Sequence, residues 1–303
     1  MHKHILHNYI GMSELHATEE NTQEVTINVQ NEEGFTFLET ISPNSINLIL
    51  TDPPYIISRD TGMDKHHKMV EENEKNGITQ VKTEEEWETY KLKNDIIDDS
   101  KKDNFIKYGT IYGTKYCVKT QYGDWDKDFT METMDKFVEQ YYNKLVKGGT
   151  IIIFFDLWKI TSLKEILEKH NFKQIRFIEW IKTNPQPLNS SLNYLTNCRE
   201  IALTAVKGSK PTFNSKYDKG IYEYPLQGGK ERFHPTQKSR LLFEELIKKH
   251  SNEGDVVMDT FLVQNYCYCS KNTNRHFLGC ELNPEYYISS VHFSPIINLN
   301  QPF

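Results

Sequence analysis

Ile46–Leu50 is a compact apolar run that stops at Thr51-Asp52-Pro53-Pro54-Tyr55. Two successive prolines cannot continue a sheet ladder, because neither offers an N–H. The strand must end there and the chain must turn. Around this strand, apolar runs alternate with segments of helical spacing. Val25, Ile27 and Val29 alternate within Glu24–Gln30 as a strand should, and Gly34–Thr40 suits a short helix. Met131, Met134, Phe137, Val138, Tyr141 and Leu145 recur at helical spacing, with Gly148-Gly149 as the expected stop. Further strands are expected at Thr150–Phe155, Gln174–Trp180, Arg199–Val206, Asp255–Asp259 and Phe277–Glu281, with helices at Ser162–Lys169 and Ser239–His250. This alternation predicts an α/β fold, a doubly wound and mainly parallel sheet.

The 303 residues suffice for one large domain with insertions or for two small ones. We read residues 1–24 as a polar N-terminal extension and 25–303 as the domain proper. The stretch 60–122 is rich in Lys, Glu, Asp and Asn, poor in aliphatics, and reads as an insertion with a short helix over Glu84–Lys93. No run approaches the ~18 apolar residues of a membrane helix. The N-terminus carries His2, His4 and His7 but no apolar core, so neither a secretory signal nor a metal site is expected there. Five cysteines, at 117, 198, 267, 269 and 280, are odd in number and irregular in spacing. That argues against a disulfide framework and for a reducing, cytoplasmic setting. Cys267-x-Cys269 lacks a partner pair, and no metal is expected. With a net charge of −6, any surface for nucleic acid must be local.

In an open α/β sheet, ligands bind beyond the carboxyl ends of strands, which is where Asp52-Pro53-Pro54-Tyr55 falls. The tetrapeptide offers acceptors rather than donors. Asp52 and the Pro53 carbonyl can take hydrogen bonds from an exocyclic –NH2, and Tyr55 can stack on the ring that bears it. A turn with a half-buried tyrosine also accounts for the tetrapeptide taken alone.

Ser45–Tyr55 resembles the catalytic segment of the DNA amino-methyltransferases, which methylate adenine N6 or cytosine N4 with S-adenosylmethionine. His234-Pro235-Thr236-Gln237-Lys238, Asp255–Asp259, Gly279–Tyr286 and Trp180-Ile181-Lys182-Thr183-Asn184-Pro185 resemble further motifs of that family. The order, catalytic motif first and cofactor motif last, is similar to its β group. The likeness covers about residues 25–290, with the insertion poorly matched. It implies a Rossmann-like methyltransferase domain and direct transfer to a base swung out of double-stranded DNA. Asp52, Pro53, Pro54 and Tyr55 would position the base. Glu281 would hold the cofactor ribose, Thr236 and Lys238 would lie near its methionine end, and Asp259, Phe261 and Asn283 complete the implied cofactor set. Adenine-N6 is the expected target because relatives with Asp before the prolines mostly act on adenine; cytosine-N4 is the alternative. A cognate restriction endonuclease is a candidate partner. Protein and small-molecule amide methyltransferases fit less well, since they usually place the cofactor motif first.

The chain departs from the family at the cofactor loop. Where the family runs Asp-Pro-Phe-x-Gly-x-Gly, this chain has Asp259-Thr260-Phe261-Leu262-Val263-Gln264-Asn265. Val263 and Asn265 stand at the glycine positions, where left-handed backbone and close ligand approach favour glycine. One hypothesis is a lesion in the nucleotide sequence. A codon choice for Val263–Ser270, shifted by two single-base additions, encodes Gly-Ser-Gly-Ile-Ile-Ala-Ile-Ala, and an independent read of the gene decides the matter. The other consequence is a catalytically inactive, DNA-binding relative.

For target recognition the insertion is the candidate region. Lys101, Lys102, Lys107, Lys115 and Lys119 there lie among Phe105, Tyr108, Tyr112 and Tyr116. A solvated loop with a few core aromatics serves equally well. The loop from Pro185 to Phe233, with Asn189, Asn193, Asn197, Arg199, Lys207, Lys210 and Lys216, competes for the role. Asp124-Trp125-Asp126 is explained by helix entry and packing.

Overall fold

The structure, a computed structural model, describes residues 25–56, 62–114, 129–185, 197–228, 237–262 and 266–292. The N-terminal extension, Asp124-Trp125-Asp126, Thr236 and Val263–Asn265 lie outside these residues, as do Lys115, Tyr116, Cys117 and Lys119 of the insertion and Asn189 and Asn193 of the competing loop.

Eight strands form one sheet: β1 (Ile27–Gln30), β2 (Ile46–Thr51), β3 (Leu145–Phe155), β4 (Lys173–Lys182), β5 (Arg199–Val206), β6 (Ile221–Tyr224), β7 (Val256–Asp259) and β8 (His276–Cys280). Their spatial order is β1-β8-β7-β2-β3-β5-β4-β6. All neighbours run parallel except β5, which is antiparallel to both β3 and β4. The fold is therefore the α/β, mainly parallel sheet expected from the sequence.

Helices α1 (Gly34–Thr40), α5 (Met131–Lys144) and α6 (Ile160–Lys169) cover one face with Phe37, Leu38, Phe137, Tyr141, Leu163 and Leu167. Helices α7 (Arg240–His250) and α8 (Tyr266–Asn272) cover the other with Leu242, Phe243, Leu246, Ile247, Cys267 and Cys269. A parallel sheet needs both faces buried, which is why β2 and β3 read as nearly continuous apolar runs rather than alternating ones. Each fully buried Leu, Ile or Phe contributes about 1.5–3 kcal/mol through water exclusion, so this double layer is the main source of stability. The last described helix, α9 (Pro284–His292), follows β8.

Three details differ from the sequence reading. Helix α5, opened by a Thr130–Thr133 capping box, ends at Lys144, four residues before Gly148. Gly148 instead lies within β3 at φ +88°, and a Cβ there would stand 2.5 Å from the Lys210 carbonyl oxygen. The glycine serves a close backbone approach, not a helix stop. Among the described residues, the stretch 60–122 holds not one short helix but three: α2 (Gly62–Lys75), α3 (Glu84–Lys93) and α4 (Lys102–Tyr108). Phe105 of α4 is buried against Trp87 and Tyr90 of α3, with ring centroids 5.4 and 4.7 Å apart. Aromatic rings thus supply the core that missing aliphatics could not. Finally, β6 lies inside what the composition marks as loop. Among the described residues, no helix is long and apolar enough to cross a membrane.

Candidate active site

Parallel strands deliver their C-terminal ends to one rim of the sheet. Thr51 and Asp52 leave β2 there, beside Phe155 at the end of β3 and Asp259 at the end of β7. Because β5 is reversed, it brings its first residues to the same rim: Ile201 pairs with Phe155, and Glu200 with Trp180 of β4. Lys182, the last residue of β4, lies there too. Lys238 arrives two residues ahead of α7.

These residues form one buried charge network. The Lys238 ammonium lies 3.0 Å from Asp52 Oδ2 and 2.6 Å from Glu200 Oε2, and it donates to the Tyr55 hydroxyl at 3.2 Å. Lys182 lies 2.6 Å from the other Glu200 oxygen, Oε1. The side chains of Asp52 and Lys238 are only 7% and 6% exposed. The ammonium also lies over the Tyr55 and Phe154 rings, 5.1 and 5.8 Å from their centroids. Asp52 Oδ1 is buried and has no hydrogen-bond partner among the described residues.

The electrostatics follow from this packing. Burial pushes Asp52 up to about 6, the Lys238 charge opposes the rise, and the Glu200 charge adds to it. Burial alone would lower Lys238, but the carboxylates of Asp52 and Glu200 outweigh it and hold the group well above the ordinary lysine value. Burial would raise Glu200, but the two lysines outweigh it and keep it low. The network is therefore ionised at neutral pH, with one acceptor oxygen left over.

A second buried carboxylate sits one strand away. Asp259 Oδ1 accepts from the Thr51 hydroxyl at 2.6 Å and from the Phe261 N–H at 3.0 Å. Its Oδ2 is buried and unpartnered among the described residues. Burial pushes this group up to about 7. A buried acceptor left open at a strand end suits a ligand that brings donors, such as an amino acid ammonium or ribose hydroxyls.

The remaining expected residues fall around this point. Glu281 follows β8 directly, and its Oε1 accepts from the Asn283 N–H at 2.7 Å. Asn283 Oδ1 in turn accepts from the Glu285 N–H at 2.8 Å, opening α9, so this residue steadies Glu281 and caps a helix. The Phe261 ring packs on Phe137 and Phe129, at 4.8 and 5.5 Å between centroids. Pro53 is buried and Pro54 half-buried, and the Tyr55 ring lies 6.5 Å from that of Phe155. Lys238, expected near the cofactor's methionine end, lies against Asp52. Sequence reasoning missed Glu200 and the ionic role of Lys182. The signal was a glutamate at the head of the otherwise apolar strand Arg199–Val206.

Comparison with known proteins gives the family. The sequence profile described as DNA methylase, of the N6 and N4 type, matches residues 46–291. The type II methyltransferase M2.DpnII of Streptococcus pneumoniae is 27% identical over 272 residues, covering 83% of each chain. The type II methyltransferase M.HpaI of Haemophilus parainfluenzae is 25% identical, covering 82% of this chain and 68% of its own. Among solved structures, the PvuII DNA methyltransferase, titled cytosine-N4-specific, superposes with a TM-score of 0.60 at 14% identity, covering 91% of this chain and 89% of its own. The M1.HpyAVI–SAM complex gives 0.55 at 20% identity, covering 88% and 100%. The profile spans most of the chain and takes in β2 with its Asp-Pro-Pro-Tyr end, β5, Lys238, β7 and Glu281. The chain belongs to the N6/N4 DNA methylase family.

Proposed function

We propose that this chain methylates the exocyclic N6 amine of adenine in double-stranded DNA. The observation that carries this reading is the open Asp52 Oδ1, a buried carboxylate oxygen beside an aromatic ring at the rim of the sheet. A base entering this pocket costs a few kcal/mol of unstacking. Tyr55 offers a face for the ring, while Asp52 Oδ1 and the Pro53 carbonyl accept the two amine hydrogens. Both acceptors draw the nitrogen lone pair out of conjugation and aim it away from the ring. S-adenosylmethionine, held by the acceptors assigned below, would supply an electrophilic sulfonium methyl for the amine nitrogen, with the bonding pair left on sulfur. The nitrogen turns cationic in that step, and the Asp52 carboxylate stabilises the charge until the surplus proton leaves to water. No covalent bond to the protein is required, so a nucleophilic cysteine has no part to play.

Asp259 Oδ2 and Glu281 are the acceptors we assign to the cofactor. The resemblance also puts Thr236 and Asn283 on that side. Lys238 is held by Asp52 and Glu200, and we assign it to the amine pocket. Adenine is favoured over cytosine by the aspartate before the prolines. The cytosine-N4 reading is kept alive by the PvuII likeness, because the same acceptors suit either amine. A cognate restriction endonuclease fits the type II relatives, and work on DNA fits an intracellular setting. Incubation with mixed-sequence DNA and S-adenosylmethionine, digestion, and nucleoside mass spectrometry tests all of this. N6-methyl-2′-deoxyadenosine is expected; N4-methyl-2′-deoxycytidine replaces the target; neither product from an otherwise intact protein points to the inactive DNA-binding relative.

A further inference from the structure

Asp52 would meet a cation with both oxygens if nothing held that cation back. Here the Lys238 ammonium is shared: Asp52 Oδ2 takes one side, Glu200 Oε2 the other, and the Tyr55 hydroxyl a third direction. Glu200 is itself held from behind by Lys182, whose ammonium also lies 5.5 Å from the centre of the Trp180 ring. All four charged groups sit where β2, β4, β5 and the segment before α7 converge.

We propose that Glu200 is a positioning residue for methyl transfer: anchored by Lys182, it holds Lys238 on Asp52 Oδ2, keeps Oδ1 open for the amine, and offsets the lysine charge. This rests on the amine-methylation reading. Without the Glu200 carboxylate, Lys238 is free to bridge both Asp52 oxygens and compete with the substrate amine. Its positive charge then also opposes the cationic nitrogen formed during transfer. With Glu200 in place, Asp52, Glu200 and Lys238 together carry one net negative charge next to that nitrogen. Lys182 is one residue farther from Asp52 in the network and keeps Glu200 ionised.

The signs make the proposal testable without turnover. The charged and titratable groups that act on Asp52 are Lys238 ahead of α7, Glu200 on β5, Tyr55 after β2 and Asp259 on β7. Glu200 raises Asp52, so Glu200→Gln lowers its titration. Lys182→Gln leaves the Glu200 charge less compensated, so it moves the Asp52 titration the other way. The measurement is carbon-13 NMR of aspartate carboxyls in the full-length protein, with Asp52→Asn assigning the resonance. Burial, offset in part by Lys238, puts the expected Asp52 midpoint of the unmodified protein at about 6. We expect a fall of about 0.5–1 pH unit in Glu200→Gln and a smaller rise in Lys182→Gln. In turnover, Glu200→Gln loses about tenfold in kcat while KM for S-adenosylmethionine stays within about twofold, and Glu200→Asp recovers part of the loss. An Asp52 titration unmoved in both variants, or moved in the same direction by both, overturns the proposal. If Glu200→Gln does not fold, the Lys182→Gln titration alone decides. Absence of methylated base in digests from the unmodified protein defeats the methylation reading instead, and the NMR titration still decides for or against the Glu200 arrangement.

Discussion

Asp52 and Asp259 are buried carboxylates at the ends of adjacent strands, and each keeps one oxygen open among the described residues. Their surroundings differ in one respect. Asp52 has a cation of its own, Lys238 at 3.0 Å. Among the described residues, Asp259 has only neutral donors, the Thr51 hydroxyl and the Phe261 N–H. Burial therefore pushes Asp259 to about 7 but Asp52 only to about 6. A carboxylate that carries its counter-ion is charged before any ligand arrives and is suited to act on one. A carboxylate without a counter-ion is costly to ionise and is suited to be completed by one.

The largest expected effect breaks the first half of this contrast. Asp52→Ala should cost about 10³-fold in methyl transfer, measured as labelled methyl incorporated into DNA, with S-adenosylmethionine affinity within about twofold of the parent. Comparable loss of both would place Asp52 on the cofactor side and end the distinction. Next comes the loop beyond Asp259. Replacing Val263 and Asn265 together by glycine should tighten S-adenosylmethionine binding by about tenfold in calorimetry, because glycine admits the left-handed backbone and the close approach that valine resists. An unchanged affinity would mean that this loop tolerates both side chains.

Asp259→Asn probes the missing counter-ion through stability. The native state binds the Asp259 proton more tightly than the unfolded chain does. Stability is therefore withdrawn as pH rises from the ordinary carboxylate range to about 7, and the cost is complete above that. The asparagine removes that cost while keeping an oxygen for Thr51. Its Tm should exceed the parent's by about 5 °C at pH 8 and by about 2 °C at pH 5. A gain that is equal at both pH values would falsify the assignment. Thr51→Val is the gentlest test. It removes the hydroxyl that joins the two strand ends and should cost about 1–2 kcal/mol in urea unfolding, with Asp259 rising further.

Much of this contrast was legible in the residues. The apolar run at 46–50, halted by two prolines, marked both a central strand and the rim where Asp52 sits. Asp255–Asp259 and Phe277–Glu281 marked two more strand ends as short apolar runs closed by an acid. Glu200 was not legible, because it lies 148 residues from Asp52 and meets it only through the reversal of β5, which no local pattern announces. Lys238 was expected near the cofactor's methionine end, and its pairing with Asp52 was not legible, since short-range sequence carries no information on which anion claims a cation. Gly148 misled because a glycine pair after a helical pattern is a common stop, whereas here the constraint comes from the Lys210 carbonyl, far along the chain. In the insertion, Trp87, Tyr90 and Phe105 were visible as aromatics, but only their mutual packing distinguishes a small core from a nucleic-acid contact.

The reversed strand has one more consequence. Since β4 finishes and β5 starts beside the pocket, the connection between them departs from and returns to the mouth itself. Lengthening or shortening that crossing would change what stands at the mouth while every ladder in the sheet kept its register. A scaffold wired this way can retune its choice of target without rebuilding its chemistry.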